Sequence, residues 1–178
     1  MTFSSLLRLP PGLLLALLVF PAPLQARDKE RPAVNIPPEA TAPAPEQKLA
    51  TRGRTFVPLH STLIGHGGVT RLNFSGTLSI HNASATNLLA VERVDYRSGA
   101  GEVVEAYVTE PLYLKPYASM QIAIAQDDVR AGVGASFTVD WSTPAGGDEP
   151  VIEAAMASFV GTHSYSFLSP GRRVARPQ

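Results

Sequence analysis

From Thr55 onward apolar and polar residues alternate with a period of two. Leu72, Phe74, Gly76, Leu78 and Ile80 share one side of an extended segment, and Arg71, Asn73, Ser75, Thr77, Ser79 and His81 share the other. That is the pattern of a strand with one face in a core and one in water. It repeats at Val133, Ala135, Phe137, Val139 and Trp141 against Gly134, Ser136, Thr138, Asp140 and Ser142, and again at Met120, Ile122 and Ile124. Leu89 and Val91 are in phase, as are Val94 and Tyr96, but the phase slips at Glu92-Arg93. A β-bulge there restores the register. Val104, Ala106 and Val108 form a further run. In the segment 151–159, Ile152, Ala154, Met156 and Ser158 interleave with Val151, Glu153, Ala155 and Phe159, which reads as a strand buried on both faces.

Turn residues separate these runs. Ser98-Gly99-Ala100-Gly101 closes a hairpin, and Lys115-Pro116-Tyr117 and Pro144-Ala145-Gly146-Gly147-Asp148 are loops. A hairpin at Gly161 to Ser164 would set Glu153 opposite Arg172, an ion pair across the ladder. No sustained 3.6-residue period occurs after Thr55. The prediction is an all-β domain over residues 54–174: an immunoglobulin-like antiparallel β-sandwich of about seven or eight strands. A small barrel is the second fold this pattern admits.

The N-terminal part reads differently. Arg8 precedes the apolar run Leu13 to Phe20, and Leu24-Gln25-Ala26 follows. This is the layout of a secretory signal peptide over residues 1–26, cleaved after Ala26. The run is shorter than the roughly 20 residues of a membrane-spanning helix, so an uncleaved anchor is the weaker alternative and no stable membrane span is expected after cleavage. Residues 27–53 hold Pro32, Pro37, Pro38, Pro43 and Pro45 among small and charged residues. Few large apolar side chains offset the ordering entropy, which predicts a disordered Pro/Ala-rich linker. Residues 175–178 read as a C-terminal tail. The expected location is the periplasm or the exterior.

Composition narrows the chemistry. Fifteen Lys and Arg balance fifteen Asp and Glu, for a formal net charge of zero. The basic surplus that neutralises nucleic-acid phosphates is missing. There is no cysteine, hence no disulfide, thiolate nucleophile or Cys-ligated zinc.

The order of short motifs along the chain carries a resemblance. Val57-Pro58-Leu59-His60-Ser61 with His66-Gly67, Leu78-Ser79-Ile80-His81-Asn82, Val94-Asp95-Tyr96, Leu114-Lys115-Pro116 with Ala118-Ser119, Phe137-Thr138-Val139-Asp140-Trp141, Glu149-Pro150-Val151-Ile152-Glu153-Ala154, and Gly161-Thr162 with Ser166-Phe167 and Gly171-Arg172 follow one another. In this the chain resembles an exported bacterial family, domain of unknown function 3124, over roughly Thr55 to Val174. The family form has an aromatic residue where this chain has His60. The resemblance implies the domain limits and export. It implies no activity, substrate or catalytic residue.

The remaining candidates are few. His60, His66 and His163 are the metal-ligand candidates, since loop histidines can converge from distant sequence; none lies in a known ligand spacing. His81 sits on a polar face at a strand end, and Asp127-Asp128 reads as a turn. No G-x-S-x-G elbow is present; His163-Ser164 are neighbours that a strand would point to opposite faces. No cofactor motif occurs, and a metal ion is the one cofactor these side chains admit. Tyr113, Tyr117, His163 and Tyr165 are candidate contact residues, because tyrosine pairs an apolar body with a polar end. The basic tail of Arg172, Arg173 and Arg176 reads as a solvated terminus. The leading expectation is a non-enzymatic binding or adhesion module for an envelope protein or a polysaccharide, with contact through loop Leu63 to Val69 and turn Gly161 to Ser164. The alternative is a periplasmic metal-binding protein, and an unrecognised hydrolase comes third.

Overall fold

Alternating side chains need two surfaces to bury one face each, and the chain answers with two large sheets, beside a two-stranded ribbon formed by residues 62–64 and 71–73. The structure, a computed structural model, describes residues 34–176, except the His66 side chain. Its strands are β1 (Val34–Asn35), β2 (Thr41–Ala42), β3 (Thr51–Pro58), β4 (Thr62–Ile64), β5 (Arg71–Asn73), β6 (Ser75–His81), β7 (Leu89–Arg97), β8 (Val103–Val108), β9 (Leu112–Leu114), β10 (Ser119–Ile124), β11 (Ser136–Thr143), β12 (Val151–Val160), β13 (His163–Pro170) and β14 (Arg172–Val174). Among the described residues the helical elements are two three-residue 3-10 turns, and no helix is long and apolar enough to cross a membrane. The predicted signal peptide lies outside the described residues.

One sheet has the order β1-β10-β6-β12-β13. The other runs β14-β3-β11-β7-β9-β2, with β8 also on β7. The ladders within both sheets are antiparallel. Leu78, Ile80, Met120, Ile122, Ile124, Ile152, Ala154 and Met156 of the first sheet share one apolar cluster with Val57, Val91, Val94, Tyr96, Phe137, Val139 and Trp141 of the second. A sandwich-like all-β body results. The Trp141 indole lies where a Gly53 Cβ would sit, 2.2 Å from its ring, and its Nε1 donates to Thr55 Oγ1 at 3.0 Å. Only glycine fits under that ring.

The bulge at Glu92 is present. Asp140 faces Arg93 while Trp141 faces Val91, so Glu92 is the extra residue. The two halves of β7 thereby both turn their apolar side chains inward. The turn at Ser98 to Gly101 joins β7 to β8 as expected.

Other expectations are corrected. The stretch read as a disordered linker contributes β1 to the edge of one sheet and β2 to the edge of the other, with Ala40 buried and Ile36 packed on the core; Thr51 to Gly53 already belong to β3. The run Arg71 to His81 is two strands, because Phe74 leaves the ladder and its N–H donates to the Ser61 carbonyl. Val133 is exposed and precedes β11, while Asp140 and Ser136 on that strand's polar side are buried. β12 buries only Ile152, Ala154, Met156 and Ser158; Val151, Ala155 and Phe159 are exposed. Glu153 faces Pro170, not Arg172. The two-residue turn Gly161-Thr162 shifts the register from the one assumed, and the chain crosses at Gly171 so that Arg172 faces Phe56 in the opposite sheet. A Cβ at Gly171 would lie 2.6 Å from the Ile152 carbonyl oxygen, which is why the crossing passes through glycine.

Candidate functional site

One end of the body gathers the loops. β6 begins beside Ala157, and β11 begins beside Pro58 and Arg97. The loops leaving these strand ends are bound to one another. Leu59 N–H donates to Ala135 O at 2.8 Å and Gly99 N–H to Ala131 O at 3.1 Å. Ser61 Oγ donates to Gly132 O at 2.8 Å, and Gln126 Nε2 to Phe159 O at 3.2 Å. Thr62 bridges to Val133. The β4-β5 finger, the loop 125–135 and the turns at 98–102 and 161–162 therefore form one rim. Ile64, Val69, Val103, Val129, Val133 and Val160 stand exposed on it, and Val69, at 85% exposure, has the least cover.

Ion pairs brace this rim. Arg130 donates to Asp128 at 2.8 and 2.9 Å and to Glu105 at 3.0 Å, tying the loop 125–135 to β8. The Asp128 carboxylate, and then that of Glu105, hold the Arg130 guanidinium above its ordinary pKa. Asp127, with Asn73 and Gln126, lines an open depression. Beneath the rim, Tyr96 and Tyr107 pack on Phe137 at ring distances of 5.2 and 6.2 Å. Burial raises both phenol pKa values, because an uncharged hydroxyl is cheaper in a low dielectric.

The candidate histidines do not form a described cluster. His60 packs against Phe167, 5.7 Å between ring centroids, and Phe167 meets Phe74 edge-on at 5.4 Å. His60 thus completes an aromatic stack. His163 is exposed opposite Val160. His81 lies at the other end of the body, beside Ser119 and Val151. The His66 side chain lies outside the described residues. Among the described residues no group of three His, Asp or Glu could hold a metal ion, and Ser164 makes no hydrogen bond to a histidine.

The four contact candidates divide. His163 and Tyr165 open β13 at the rim. Tyr113 and Tyr117 flank a turn at the opposite end, where Ala118 N–H donates to Lys115 O at 3.0 Å. Tyr117 is exposed and holds φ 58, a left-handed conformation that a bulky residue rarely adopts.

The outer face of the larger sheet is charged and internally paired. Arg54 grips Asp140 with two bonds of 2.6 Å. Arg93 and Arg97 both reach Asp95, at 2.9 and 3.0 Å. Arg176 reaches Glu92 at 2.7 Å, and Arg173 pairs with Glu149 and lies over the Trp141 ring. Two arginines of the terminus read as solvated are therefore tied to the body. The paired Arg54 and Arg93 are held above their ordinary pKa by the hydrogen bonds to Asp140 and Asp95 respectively. The pairs Arg54–Asp140, Arg176–Glu92 and Arg173–Glu149 were not readable in sequence, because each joins segments far apart in the chain, whereas Arg93, Asp95 and Arg97 alternate along one strand. Val129 and Val133 were also missed; apolar residues in a loop rich in Gly and Asp were the available signal.

No curated protein matches the chain. A solved structure, Thermotoga maritima 1070, is similar at 14% identity with a TM-score of 0.39, over 67% of this chain and 92% of that one. A family model described as a protein of unknown function (DUF3124) matches residues 52–174. The chain belongs to the DUF3124 family.

Proposed function

We propose that this protein is an exported, non-enzymatic binding or adhesion module of immunoglobulin-like type, which contacts an envelope protein or polysaccharide through its loop rim. The carrying observation is the set of exposed apolar side chains, Ile64, Val69, Val129 and Val133, on neighbouring loops braced by Arg130. Loops fixed on a rigid scaffold are the usual carriers of recognition, and clustered exposed apolar residues mark interaction surfaces. Export rests on the sequence of residues 1–26.

The test is co-sedimentation of the full chain with envelope fragments, beside cell fractionation and metal analysis. The wild type is retained, and Ile64→Asp with Val69→Asp lowers retention about tenfold, the loss expected of a central apolar contact. Equal retention of the variant, a cytosolic location, or a stoichiometric metal would overturn the reading.

A further inference from the structure

β13 is the edge of its sheet and pairs only with β12 among the described residues. It is eight residues long, almost wholly exposed, and carries no Lys, Arg, Asp or Glu. Edge strands in soluble proteins are normally shortened, charged, bulged or covered, because a bare edge templates further pairing. The opposite edge of the same sheet, β1, has two residues.

The free hydrogen-bonding groups follow from the turn. Gly161 holds φ 59 in the two-residue turn that joins Val160 to His163, so Val160 and His163 are the closing, hydrogen-bonded pair. Alternation along an antiparallel ladder then commits His163, Tyr165, Phe167 and Ser169 to β12. The backbone groups of Ser164, Ser166 and Leu168 face the open edge. Pro170 is next in that series and has no N–H to leave unpaired.

We propose that two copies of this chain pair through β13, antiparallel about a two-fold axis at Ser166, joining their five-stranded sheets into one. Three observations select a second copy as the occupant. First, the strand is self-complementary in that register: Ser166 meets Ser166, and Ser164 meets Leu168 in both directions. On the outer face, Phe159 stands opposite Ser164 and Ala155 opposite Leu168. Each row across the pair thus alternates large and small, as Phe159, Ser164, the second copy's Leu168 and its Ala155. On the inner face Tyr165 meets Phe167, an aromatic cross-strand pair. Second, the contact carries no charge, and the chain's formal net charge is zero, so two copies do not repel. Third, the area suffices. Phe159 is 70% exposed, Leu168 63%, and Val160 and Tyr165 46% each. At roughly 150–200 Å² per large side chain these offer about 400 Å² per copy. With the serines and the paired backbone the total approaches the ~1,000 Å² of a small specific interface. The association is therefore weak and concentration-dependent. It adjoins the loop rim at Val160 and Tyr165 but leaves Ile64, Val69, Val129 and Val133 outside the contact.

Sedimentation velocity of the full chain, from about 1 to 100 μM, tests this, since dissociation near micromolar is expected of such an area. The wild type shifts with concentration from 18.9 kDa to twice that mass. Ser166→Lys places two like charges face to face on the axis and weakens association at least tenfold, with an unchanged circular dichroism spectrum. Leu168→Asp gives the same loss from a second position. A single 18.9 kDa species throughout the range would overturn the proposal. So would a dimer that tolerates both substitutions, or an open-ended polymer, which a closed two-fold contact does not build.

Discussion

The two outer faces of the body are built from opposite materials. On the larger sheet, Arg54 pairs with Asp140 across strands, Arg93 and Arg97 pair with Asp95 along β7, and the C-terminal Arg176 pairs with Glu92. On the smaller sheet the outward residues of β6, β10, β12 and β13 include Ser75, Thr77, Ser79, Gln121, Ala123, Ala155, Ala157, Phe159, Ser164, Ser166 and Leu168, with His81 at one end and Glu153 as the acidic exception. The charged face is a set of ion pairs, so stripping water from it for a partner is costly. The neutral face has little to desolvate, and it ends in a bare eight-residue edge. The difference teaches which side of a sandwich is closed to partners and which is open.

The comparison breaks most completely if the charged face loses its register. Glu92 is the bulged residue that keeps Leu89 and Val91 inward together with Val94 and Tyr96. An alanine inserted between Val94 and Asp95 turns one half of β7 over, which would drive Asp95 inward and Tyr96 outward, or Leu89, Val91 and Val94 outward. The expected outcome is loss of the cooperative thermal transition, since burying unpaired charge exceeds a typical stability of about 5–15 kcal/mol. A variant that melts cooperatively near the wild-type temperature would show that β7 absorbs an extra residue without losing its phase.

The bulge was legible in sequence because apolar residues record which side faces the core, and Val91 and Val94 disagree under strict alternation. The inner faces of β6, β10 and β11 were legible for the same reason. What periodicity cannot carry is partnership. β1 and β2 are two residues each, too short to show a period, and they were hidden among prolines. Val151, Ala155 and Phe159 read as buried because they are apolar, yet they face outward; sequence reports what a side chain is, not whether anything covers it. Glu153 and Arg172 were separated by the crossing at Gly171, a change of sheet that leaves no alternation signal. The loop Leu63 to Val69 and the turn Gly161 to Ser164 were named in sequence, but their union with the loop 125–135 was not, since Gly99 with Ala131, Ser61 with Gly132 and Gln126 with Phe159 meet only through topology.

A smaller change sharpens the contrast. Asp140→Ala leaves the largely buried Arg54 without its carboxylate, at a cost of about 3 kcal/mol by urea unfolding, the low end for a broken buried pair because Arg54 keeps some water. Replacing both residues with Leu restores stability to within about 1 kcal/mol. If the double variant is as unstable as the single, the pair is a net source of stability rather than a specificity device.

Alkali probes the same asymmetry from inside. Tyr96 and Tyr107 lie under the larger sheet, and burial raises both phenol pKa values above the ordinary 10.0. The folded state then keeps protons that the unfolded chain releases, so the stability they contribute is full below pH 10.0 and is lost as pH rises beyond it. The melting temperature is expected to drop above that pH in the wild type and less steeply in Tyr107→Phe. An alkaline limb as steep in Tyr107→Phe as in the wild type would remove the buried phenol as its cause.

The smallest expected effect tests whether the neutral face is open. Thr77 sits at its middle, between Ala123 and Ala155. Thr77→Lys adds a long solvated side chain with no like charge beside it, so the stability change stays within about 0.5 kcal/mol. Against Asp140→Ala that is a several-fold smaller cost for a charge change at the centre of a sheet. β6 is separated from the free edge by β12 and β13, roughly 10 Å at ordinary strand spacing. The same substitution should therefore leave the sedimenting mass at each concentration as in the wild type. A dimer dissolved by Thr77→Lys would move the contact from the edge to the face, and a cost above about 1 kcal/mol would mean that something of this chain already lies on it.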